Sequence, residues 1–373
     1  MGKQLVLVGA GHAHLGAFLH LNHFVRSGHK TLVISPHPHY TYSGMGPGVL
    51  SGIYKPEQGR VNIQRLVELR GGCFIADTVE GVDVREGRLY LRSGLKVDYD
   101  IVSFNIGSRV PVDSFQRLEG QWITAKPMDN FPVARRAILE LLKTKEKPRL
   151  LVIGGGPAGV EISGNLARLM RDQRASGVIS MVAGKRLLKV FPQRTRNLAV
   201  RSLSARGVRI FEGQRVTALE PGCAVLNDGQ LLDTDYAILA SGVQISDLFI
   251  NSGLDVGPAG GLLVNGTLQA VGHPQIFGGG DCIDFLPGPL TKIGVVAYRQ
   301  NPVLRDNLQA ALEGEALRCF RPRSVYTLMF NLGDNTALYM RGVFSWISRF
   351  NFFLKNRIDR RFMTRYQSAE RSV

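Results

Sequence analysis

The strongest constraint on the fold is a strand, glycine-rich turn and helix that occurs twice, about 145 residues apart. The first unit combines residues 4–8, the turn Gly9-Ala10-Gly11 and a helix over residues 13–25; the second combines residues 148–153, the turn Gly154–Gly159 and a helix over residues 160–174. In such units the N–H groups and positive dipole at the start of the helix bind phosphate. The sequence therefore predicts an α/β protein with two Rossmann-like nucleotide-binding units.

The two turns differ in how well they match the dinucleotide fingerprint. Gly154-x-Gly156-x-x-Gly159 has all three glycines, which is a strong signal between a strand and a helix. In the first turn, Gly9 and Gly11 are present but the third position is His14. The strand before this turn and the helix after it still favour nucleotide binding, and the alternative is a purely structural turn.

Neither unit has the acidic residue that usually binds the adenosine ribose. The second strand of the first unit ends at Ser35-Pro36, where a hydroxyl replaces the acid. The corresponding position of the second unit reads Val182-Ala183-Gly184-Lys185-Arg186. Lys185 or Arg186 could meet the 2′-phosphate of NADPH, or both could be ordinary solvated charges. Glu161, just after the second turn, either favours the helix dipole or borders the nicotinamide.

A third signal, Gly280-Asp281, follows the apolar run at residues 274–278. A carboxylate at a strand end suits a polyol hydroxyl such as the ribityl chain of FAD; an ordinary turn aspartate is the alternative. A helix of roughly 20 residues is predicted to begin near Ile293. We therefore predict that the second nucleotide domain is inserted in the first. The expected limits are 1–112 and 244–319 for a discontinuous FAD domain, 113–243 for an NAD(P)H domain, and 320–373 for a C-terminal segment.

The C-terminal segment concentrates positive charge. The chain has a net charge of +16, and residues 341–373 hold eight Lys/Arg against two acids. No nucleic-acid-binding motif accompanies this charge. Aromatic and other apolar residues, Met363 among them, are mixed with basic residues such as Lys355. This pattern is typical of an amphipathic segment that binds an anionic membrane surface. Packing on the body or in a homodimer is the alternative. No run of 18 apolar residues exists, so we expect no segment that spans the bilayer. With the basic tail at a lipid surface, we expect a cytoplasmic protein, peripheral on the inner face of the cell membrane.

Cysteines and histidines give no metal pattern. The four cysteines lack CxxC spacing, which predicts reduced thiols in a cytosolic protein. Seven of the eight histidines precede Tyr40, but no cysteine or acid joins them at ligand spacing. We expect no bound metal.

Three motifs carry a family resemblance: residues 9–15 (GAGHAHL), residues 42–48 (YSGMGPG) and residues 355–363 (KNRIDRRFM). With the two fingerprints, they resemble the two-dinucleotide-binding-domain flavoproteins of the pyridine nucleotide-disulfide oxidoreductase family, whose domains have a three-layer ββα architecture. Within it, the chain is similar to the branch of type II NADH dehydrogenases and sulfide:quinone oxidoreductases. The nearest subgroup is the flavoproteins associated with selenide, water dikinase.

The resemblance implies roles by position, with FAD as cofactor and NAD(P)H as substrate. It places Glu161 and Lys292 in the catalytic site, with Lys292 also at the flavin edge. The residues implied to bind the two nucleotides are Gly9, Gly11, His12, Ala13, His14, Ser35, Pro36, Ser43, Gly44, Val79, Gly107, Ser108, Arg109, Gly154, Gly156, Gly159, Gly280, Asp281, Lys292, Ile293 and Val295. Among these, Val79 would offer its backbone to the adenine, and residues 292–295 would face the flavin N1/C2 edge, where a helix start stabilises reduced flavin.

Three departures from the family qualify the activity. The chain lacks a CxxxxC pair, lacks the persulfide-relaying cysteines, and matches the quinone-associated AQxAxQ pattern only loosely at residues 294–300. The leading hypothesis is an NAD(P)H dehydrogenase that passes electrons through flavin to a quinone-like acceptor. A selenium- or sulfur-linked flavin oxidoreductase with a selenophosphate-synthesising partner is one alternative. A flavin-bearing, membrane-associated binding protein without turnover is another.

Overall fold

The computed structural model describes residues 2–371. The first part of the chain forms β1 (Gln4–Val8), α1 (Leu15–Arg26), β2 (Lys30–Ile34), β3 (His39–Thr41), α2 (Gly46–Ser51), β4 (Arg60–Asn62), α3 (Ile63–Glu68), β5 (Cys73–Ile75), β6 (Val79–Asp83), β7 (Arg88–Leu91), β8 (Lys96–Asp98) and β9 (Ile101–Phe104). The middle part forms β10 (Arg117–Leu118), β11 (Trp122–Thr124), α4 (Asn130–Thr144), β12 (Arg149–Ile153), α5 (Pro157–Asp172), β13 (Val178–Val182), α6 (Gln193–Ser204), β14 (Val208–Phe211), β15 (Val216–Glu220), β16 (Cys223–Leu226), β17 (Leu231–Asp233) and β18 (Tyr236–Leu239).

The chain then forms α7 (Leu248–Asn251), β19 (Leu262–Val264), β20 (Gln269–Ala270), β21 (His273–Gly278), β22 (Ile283–Phe285) and α8 (Gly294–Glu313). It ends with β23 (Thr327–Asn331), β24 (Ala337–Arg341), β25 (Phe344–Ser348) and α9 (Arg349–Ala369). Short 3₁₀ turns lie at Pro56–Gly59 and Gly280–Cys282. The helix predicted near Ile293 is thus confirmed as α8, with 20 residues.

The first nucleotide-binding unit is built around an eight-stranded sheet with the order β22-β19-β20-β21-β9-β1-β2-β5. Its central strands β1, β2, β9 and β21 are parallel and most of their residues are buried, as expected for strands covered on both faces. The antiparallel meander β6-β7-β8 packs into the same core. Strands from before residue 105 and after residue 261 share this sheet, which has the predicted α/β fold class.

The second nucleotide-binding unit is a five-stranded parallel sheet with the order β11-β18-β12-β13-β14, beside a four-stranded sheet of β10 and β15–β17. The chain leaves the first unit and returns to it through two neighbouring segments. Arg109 and Gln244 exchange backbone hydrogen bonds of 2.8 Å where these segments meet. The predicted insertion of one unit in the other agrees with this path, and the limits at residues 112 and 244 stay predictions.

The C-terminal strands β23–β25 form an antiparallel sheet, and α9 packs against it. Ser348 caps α9, since its hydroxyl accepts a 3.0 Å bond from the Asn351 N–H. One stripe of α9 is buried, at positions spaced by three or four: Asn351, Lys355, Asp359, Met363 and Tyr366. Met363 and Tyr366 join the core of the first unit, while Phe330, Leu332 and Leu338 of the sheet join the core of the second.

This packing corrects part of the predicted membrane segment. Lys355 and Met363 were expected on a membrane-binding face, but both are buried against the body of the protein because they belong to the inner stripe. The opposite face leaves Phe350 and Phe353 exposed by 68% and 57%. Within residues 2–371, no helix combines the length and apolarity needed to cross a membrane.

Candidate functional site

The first glycine turn lies against the end of β9. Gly9 has a positive φ of 89°, and a Cβ there would approach the Asn105 carbonyl oxygen to 2.4 Å. A Cβ at Gly11 would overlap the Asn105 side-chain amide. Both positions therefore require glycine, because the turn passes so close to the neighbouring strand.

His14, at the third fingerprint position, is fully buried behind this turn. Its Nδ1 is 2.8 Å from the Gly9 carbonyl oxygen, and its Nε2 is 2.8 Å from the Ser103 hydroxyl. Burial lowers the pKa of His14 to about 4, so the ring is neutral. Ala13 beside it is also buried. The imidazole thus links the turn to β9, a packing role that the predicted nucleotide contact did not anticipate.

The second turn has the close packing and the open space that its fingerprint predicts. A Cβ at Gly154 would lie 2.2 Å from the Ala240 carbonyl oxygen, and one at Gly159 would lie 2.0 Å from the Gly154 oxygen. A Cβ at Gly156 would meet no atom within 4 Å. Since α5 begins at Pro157, Gly156 leaves room for a phosphate at the start of this helix.

Asp281 is held by two residues from distant parts of the chain. Its Oδ2 accepts bonds of 2.9 Å from both the Ser108 hydroxyl and the Lys126 ammonium. Burial alone would raise the pKa of Asp281, but Lys126 and Ser108 together hold it below its usual value. Ser108 was a predicted site residue; Lys126 was not, because nothing in its local sequence distinguishes it from a surface lysine.

The remaining predicted residues of the first unit occupy different places. Ser35 is buried at the end of β2, where its N–H bonds to the Ile75 carbonyl, while Pro36 is exposed. Val79 is buried at the start of β6. Gly107 adopts a φ of 71°, and the side chain of Arg109 forms an exposed ion pair with Asp113.

A cavity of about 900 Å³ lies between the two nucleotide-binding units and the C-terminal helix. The first unit contributes residues from the segments 9–15 and 42–48. The second unit contributes the start of α5, and α9 closes one side. Predicted site residues in its lining are His12, Ser43, Gly44, Glu161, Ile293 and Val295. The segments bearing the two predicted nucleotide sites therefore meet at one cavity.

The Lys292 side chain does not line the cavity, although the resemblance implied a place for it at the flavin edge. Its ammonium lies 3.0 Å from Asp284 Oδ1 and also bonds to the Ile283 carbonyl, so it is held in an ion pair at the end of β22. The cavity lining begins at the next residue, Ile293, and continues through Gly294 and Val295. The start of α8 thus faces the cavity through its backbone and apolar residues, whereas the Lys292 ammonium is engaged elsewhere.

His12 is part of an aromatic cluster on the cavity wall. Tyr40 and His12 share a 2.9 Å hydrogen bond between the hydroxyl and Nε2. Phe362 of α9 stacks near the His12 ring, with centroids 6.3 Å apart, and lies 4.6 Å from the Tyr42 ring. Burial lowers the pKa of His12 to about 4, with Asp281 opposing that shift. The wall therefore presents a neutral imidazole among aromatic rings.

A charged cluster faces the other part of the cavity. Lys355 Nζ lies 2.6 Å from Asp359 Oδ2 and donates a 2.7 Å bond to the Gly44 carbonyl. Tyr42 donates a 3.0 Å bond to the same aspartate. Burial alone would lower the pKa of Lys355, but Asp359 and Glu161 hold it above its usual value. This lysine is therefore a buried cation.

Glu161 completes the charged cluster from the second unit. Its Oε1 accepts a 2.7 Å bond from the Asn331 N–H of β23. Burial raises the pKa of Glu161 to about 7, although Lys355 and the Asn331 N–H favour the ionised carboxylate. A carboxyl with this pKa can hold or release a proton near neutral pH. Glu161 lines the cavity, and its place beside the nicotinamide stays a prediction.

Within residues 2–371, no group of three or more His, Cys, Asp or Glu side chains could hold a metal ion. The four cysteines are free.

Two Rossmann-like units, each with a glycine-rich turn, meet at one cavity that is lined by His12 of the first unit and by Pro157 and Ala158 of the second. This arrangement is that of a two-nucleotide flavoprotein. The family model for pyridine nucleotide-disulphide oxidoreductases matches residues 3–304. The chain belongs to this family, and the predicted fold and the FAD and NAD(P)H cofactor class are confirmed.

Two relatives are similar to parts of the chain at low sequence identity. The chain is 26% identical over 211 residues to a type II NADH:quinone oxidoreductase of Haemophilus influenzae, covering 53% of this chain and 47% of that protein. It is 24% identical over 279 residues to ferroptosis suppressor protein 1 of Xenopus tropicalis, covering 71% and 70%. The match thus spans less than half of the Haemophilus protein.

Solved structures show the same fold over nearly the whole chain. The NDH2 of Plasmodium falciparum in complex with NADH has a TM-score of 0.84 at 13% identity, covering 99% of this chain and 97% of that one. The sulfide:quinone oxidoreductase of Aquifex aeolicus has a TM-score of 0.83 at 16% identity, covering 99% and 92%.

Proposed function

We propose that this protein is an FAD-dependent oxidoreductase that takes electrons from NAD(P)H and passes them to a quinone-like acceptor at a membrane surface. The observation that carries the proposal is the shared cavity, which joins the start of α5 to the start of α8. The names of the relatives support it, since several are NAD(P)H-dependent quinone reductases.

The residues around the first turn fit FAD. Asn105 Nδ2 and Gln300 Nε2 are buried donors without a hydrogen-bond partner within the described chain, and both residues lie beside Gly280. Buried N–H groups of this kind are normally satisfied, and a diphosphate or a ribityl chain supplies acceptors. When bound, FAD supplies the ring that accepts a hydride from NAD(P)H.

The chain's own contribution is orientation and electrostatics. The first N–H groups of α8 and its dipole favour negative charge near Gly294 and Val295. Glu161 can hold or release a proton on the cavity wall, and Lys355 places a positive charge close to it. The cluster of His12, Tyr42 and Phe362 offers a wall of aromatic rings to a ring-shaped acceptor.

Anaerobic titration of the purified flavoprotein tests the proposal. NADH or NADPH is expected to bleach the visible flavin absorbance, and a soluble quinone analogue is expected to restore it. A protein whose flavin neither nucleotide bleaches is not an NAD(P)H dehydrogenase, and would support a flavin-bearing binding protein without turnover.

The membrane contact rests on the outer face of α9 and the preceding hairpin. Phe344, Phe350 and Phe353 are exposed there, and Arg349 and Arg357 are exposed beside them. Aromatic rings with flanking arginines suit an anionic lipid surface. This placement would put the protein on the inner face of the cell membrane. A homodimer built on the same face is the alternative.

Vesicle co-sedimentation distinguishes these partners. The double variant Phe350→Ser/Phe353→Ser is expected to lose binding to anionic vesicles, whereas Leu231→Ser, at an exposed leucine of the second unit, is expected to bind like the wild type. Deleting the whole tail is unsuitable, because its inner stripe belongs to the core. Equal pelleting of the double variant and the wild type would argue against the membrane contact.

A second function is favoured by the convergence of three motifs. The segments 9–15, 42–48 and 355–363 meet at the cavity, where Phe362 contacts His12 and Tyr42, and Lys355 bonds to Gly44. These segments carried the resemblance to flavoproteins associated with selenide, water dikinase. A selenium- or sulfur-linked oxidoreductase is supported if anaerobic selenide or sulfide, rather than NAD(P)H, bleaches the flavin.

A further inference from the structure

A second cavity of about 500 Å³ lies between α8 and the segment that follows it. Its lining includes Cys319 and the arginines Arg299, Arg318, Arg321 and Arg323. Within the described part of the chain, no acidic side chain lines this cavity, which we term the arginine pocket.

Most of the positive charge in the arginine pocket is not neutralised by the protein. Arg318 pairs with Asp306 at 2.5 Å, but the other three arginines form no ion pair within residues 2–371. The Nε of Arg299 is buried without a hydrogen-bond partner. A buried N–H of a charged group is costly to leave unsatisfied, so an acceptor is expected beside Arg299.

The backbone that carries these arginines is anchored. The Asn307 side chain donates a 2.8 Å bond to the Arg318 carbonyl and accepts a 2.8 Å bond from the Arg318 N–H. The Phe320 N–H bonds to the Gly266 carbonyl at 2.8 Å, and the Phe320 ring is buried. The backbone of the pocket is therefore fixed by α8 and the core of the first nucleotide-binding unit, which limits the entropy lost when a ligand binds.

We propose that the arginine pocket binds an oxyanion of the phosphate type. The planar guanidinium fork matches tetrahedral and planar oxyanions through paired hydrogen bonds, and three unneutralised arginines favour a multiply charged group. Arg299 lines both this pocket and the larger cavity, so the anion would bind next to the proposed redox site. This inference does not depend on the identity of the electron acceptor.

Two sources of the phosphate group are possible from the surroundings. A free phosphate compound can enter from solvent. A lipid headgroup is the other source, because Val325 is exposed two residues after Arg323 and lies beside Gly342, next to the exposed Val343 and Phe344. The chemistry of the group is the same in both cases.

Cys319 provides a local reporter for this site in the intact flavoprotein. It lines the arginine pocket and is exposed, and the exposed Cys73 on β5 serves as an internal reference. Alkylation by neutral N-ethylmaleimide is followed at each cysteine by mass spectrometry. Pyrophosphate, anionic phosphatidylglycerol vesicles and chloride at matched ionic strength are compared, because salt screens non-specific attraction.

Pyrophosphate at ten times its dissociation constant is expected to slow Cys319 alkylation about tenfold, since about one-tenth of the sites stay free. Alkylation of Cys73 is expected to stay unchanged. Protection by pyrophosphate indicates a free phosphate compound, and protection by vesicles alone indicates a headgroup.

Arginine variants provide the controls. Arg299→Gln and the exposed Arg321→Gln are each expected to weaken pyrophosphate binding about tenfold, the effect of losing one charge-assisted bond. The same pyrophosphate concentration would then slow Cys319 alkylation only about twofold. Arg209→Gln, an exposed arginine of the second unit, is expected to behave like the wild type. The proposal is overturned if neither probe protects Cys319 more than chloride does, or if Arg321→Gln and Arg299→Gln keep full protection.

Discussion

Removing one partner of the buried Lys355–Asp359 pair tests the cavity-facing structure of α9. The two side chains are only 7% and 5% exposed and lie 2.6 Å apart. Loss of one partner from such a pair leaves an uncompensated buried charge, which costs about 3–5 kcal/mol. Lys355→Met is expected near the upper end, because it leaves Asp359 with the Tyr42 hydroxyl and close to Glu161. Asp359→Asn is expected near the lower end, because Lys355 keeps Gly44.

The double variant Lys355→Met/Asp359→Leu sharpens this test. It removes both charges, so it is expected to be more stable than Lys355→Met alone, with a coupling energy of about 2 kcal/mol or more. The exposed pair Lys143–Glu140 is the control, since its side chains are 68% and 64% exposed. Removing either partner there is expected to cost less than about 1 kcal/mol.

Urea unfolding gives these free energies. Intrinsic fluorescence is a suitable probe, because one of the two tryptophans is Trp346 on β25, in the sheet against which α9 packs. Single variants at Lys355 and Asp359 that cost no more than the Lys143–Glu140 variants would refute the buried pair. Strictly additive effects in the double variant would refute the coupling.

Three further predictions concern other parts of the site. Burial raises the pKa of Glu161 from 4.5 to about 7, so the wild type is expected to lose about 3 kcal/mol of unfolding free energy as the pH rises through that interval. Glu161→Gln cannot ionise and is expected to lack this loss. Urea unfolding at pH 4.5 and 7.5 measures the difference. His14→Gly restores the third fingerprint glycine yet is expected to destabilise the protein by about 3 kcal/mol or more, since it leaves a void and an unpaired Ser103 hydroxyl; unchanged thermal stability would contradict this. Lys185→Ala/Arg186→Ala is expected to raise the KM for NADPH about tenfold while leaving that for NADH unchanged; equal effects on both nucleotides would mean that these charges are solvated surface residues.

The two nucleotide-binding units could be predicted because their signals are local. A strand, a glycine turn and a helix follow one another within about 20 residues, and the backbone geometry of the turn dictates the glycines. Gly154 and Gly159 show this most clearly, since a Cβ at either position would collide with a backbone oxygen. His14 departs from the pattern, and its two buried hydrogen bonds, one of them to Ser103 on β9, could not be anticipated from neighbouring residues.

Asp281 and Glu161 were predicted site residues, but their charged partners could not be predicted, because these come from distant segments. Lys126 pairs with Asp281, which is 155 positions away, and Glu161 of the second unit interacts electrostatically with Lys355 of α9. A weak signal did exist: Lys355 and Asp359 are four residues apart in the same helical stripe as Met363. Opposite charges inside an apolar stripe are unusual on a purely interfacial helix, which normally keeps its charges on the polar face.

That ion pair also explains how α9 can be positioned accurately against the cavity. Apolar contacts alone are non-directional, so a helix held only by Met363 and its neighbours could shift along its axis at little cost. The bond from Lys355 to the Gly44 carbonyl has one geometry, and a shift by one turn would leave the ammonium buried without an acceptor. We infer that this polar contact sets the register of α9 and thereby places Phe362 against Tyr42 and His12, at the cost of burying a charge. The same contact links the outer, exposed face of the helix to the cavity wall, because both faces belong to one rigid element.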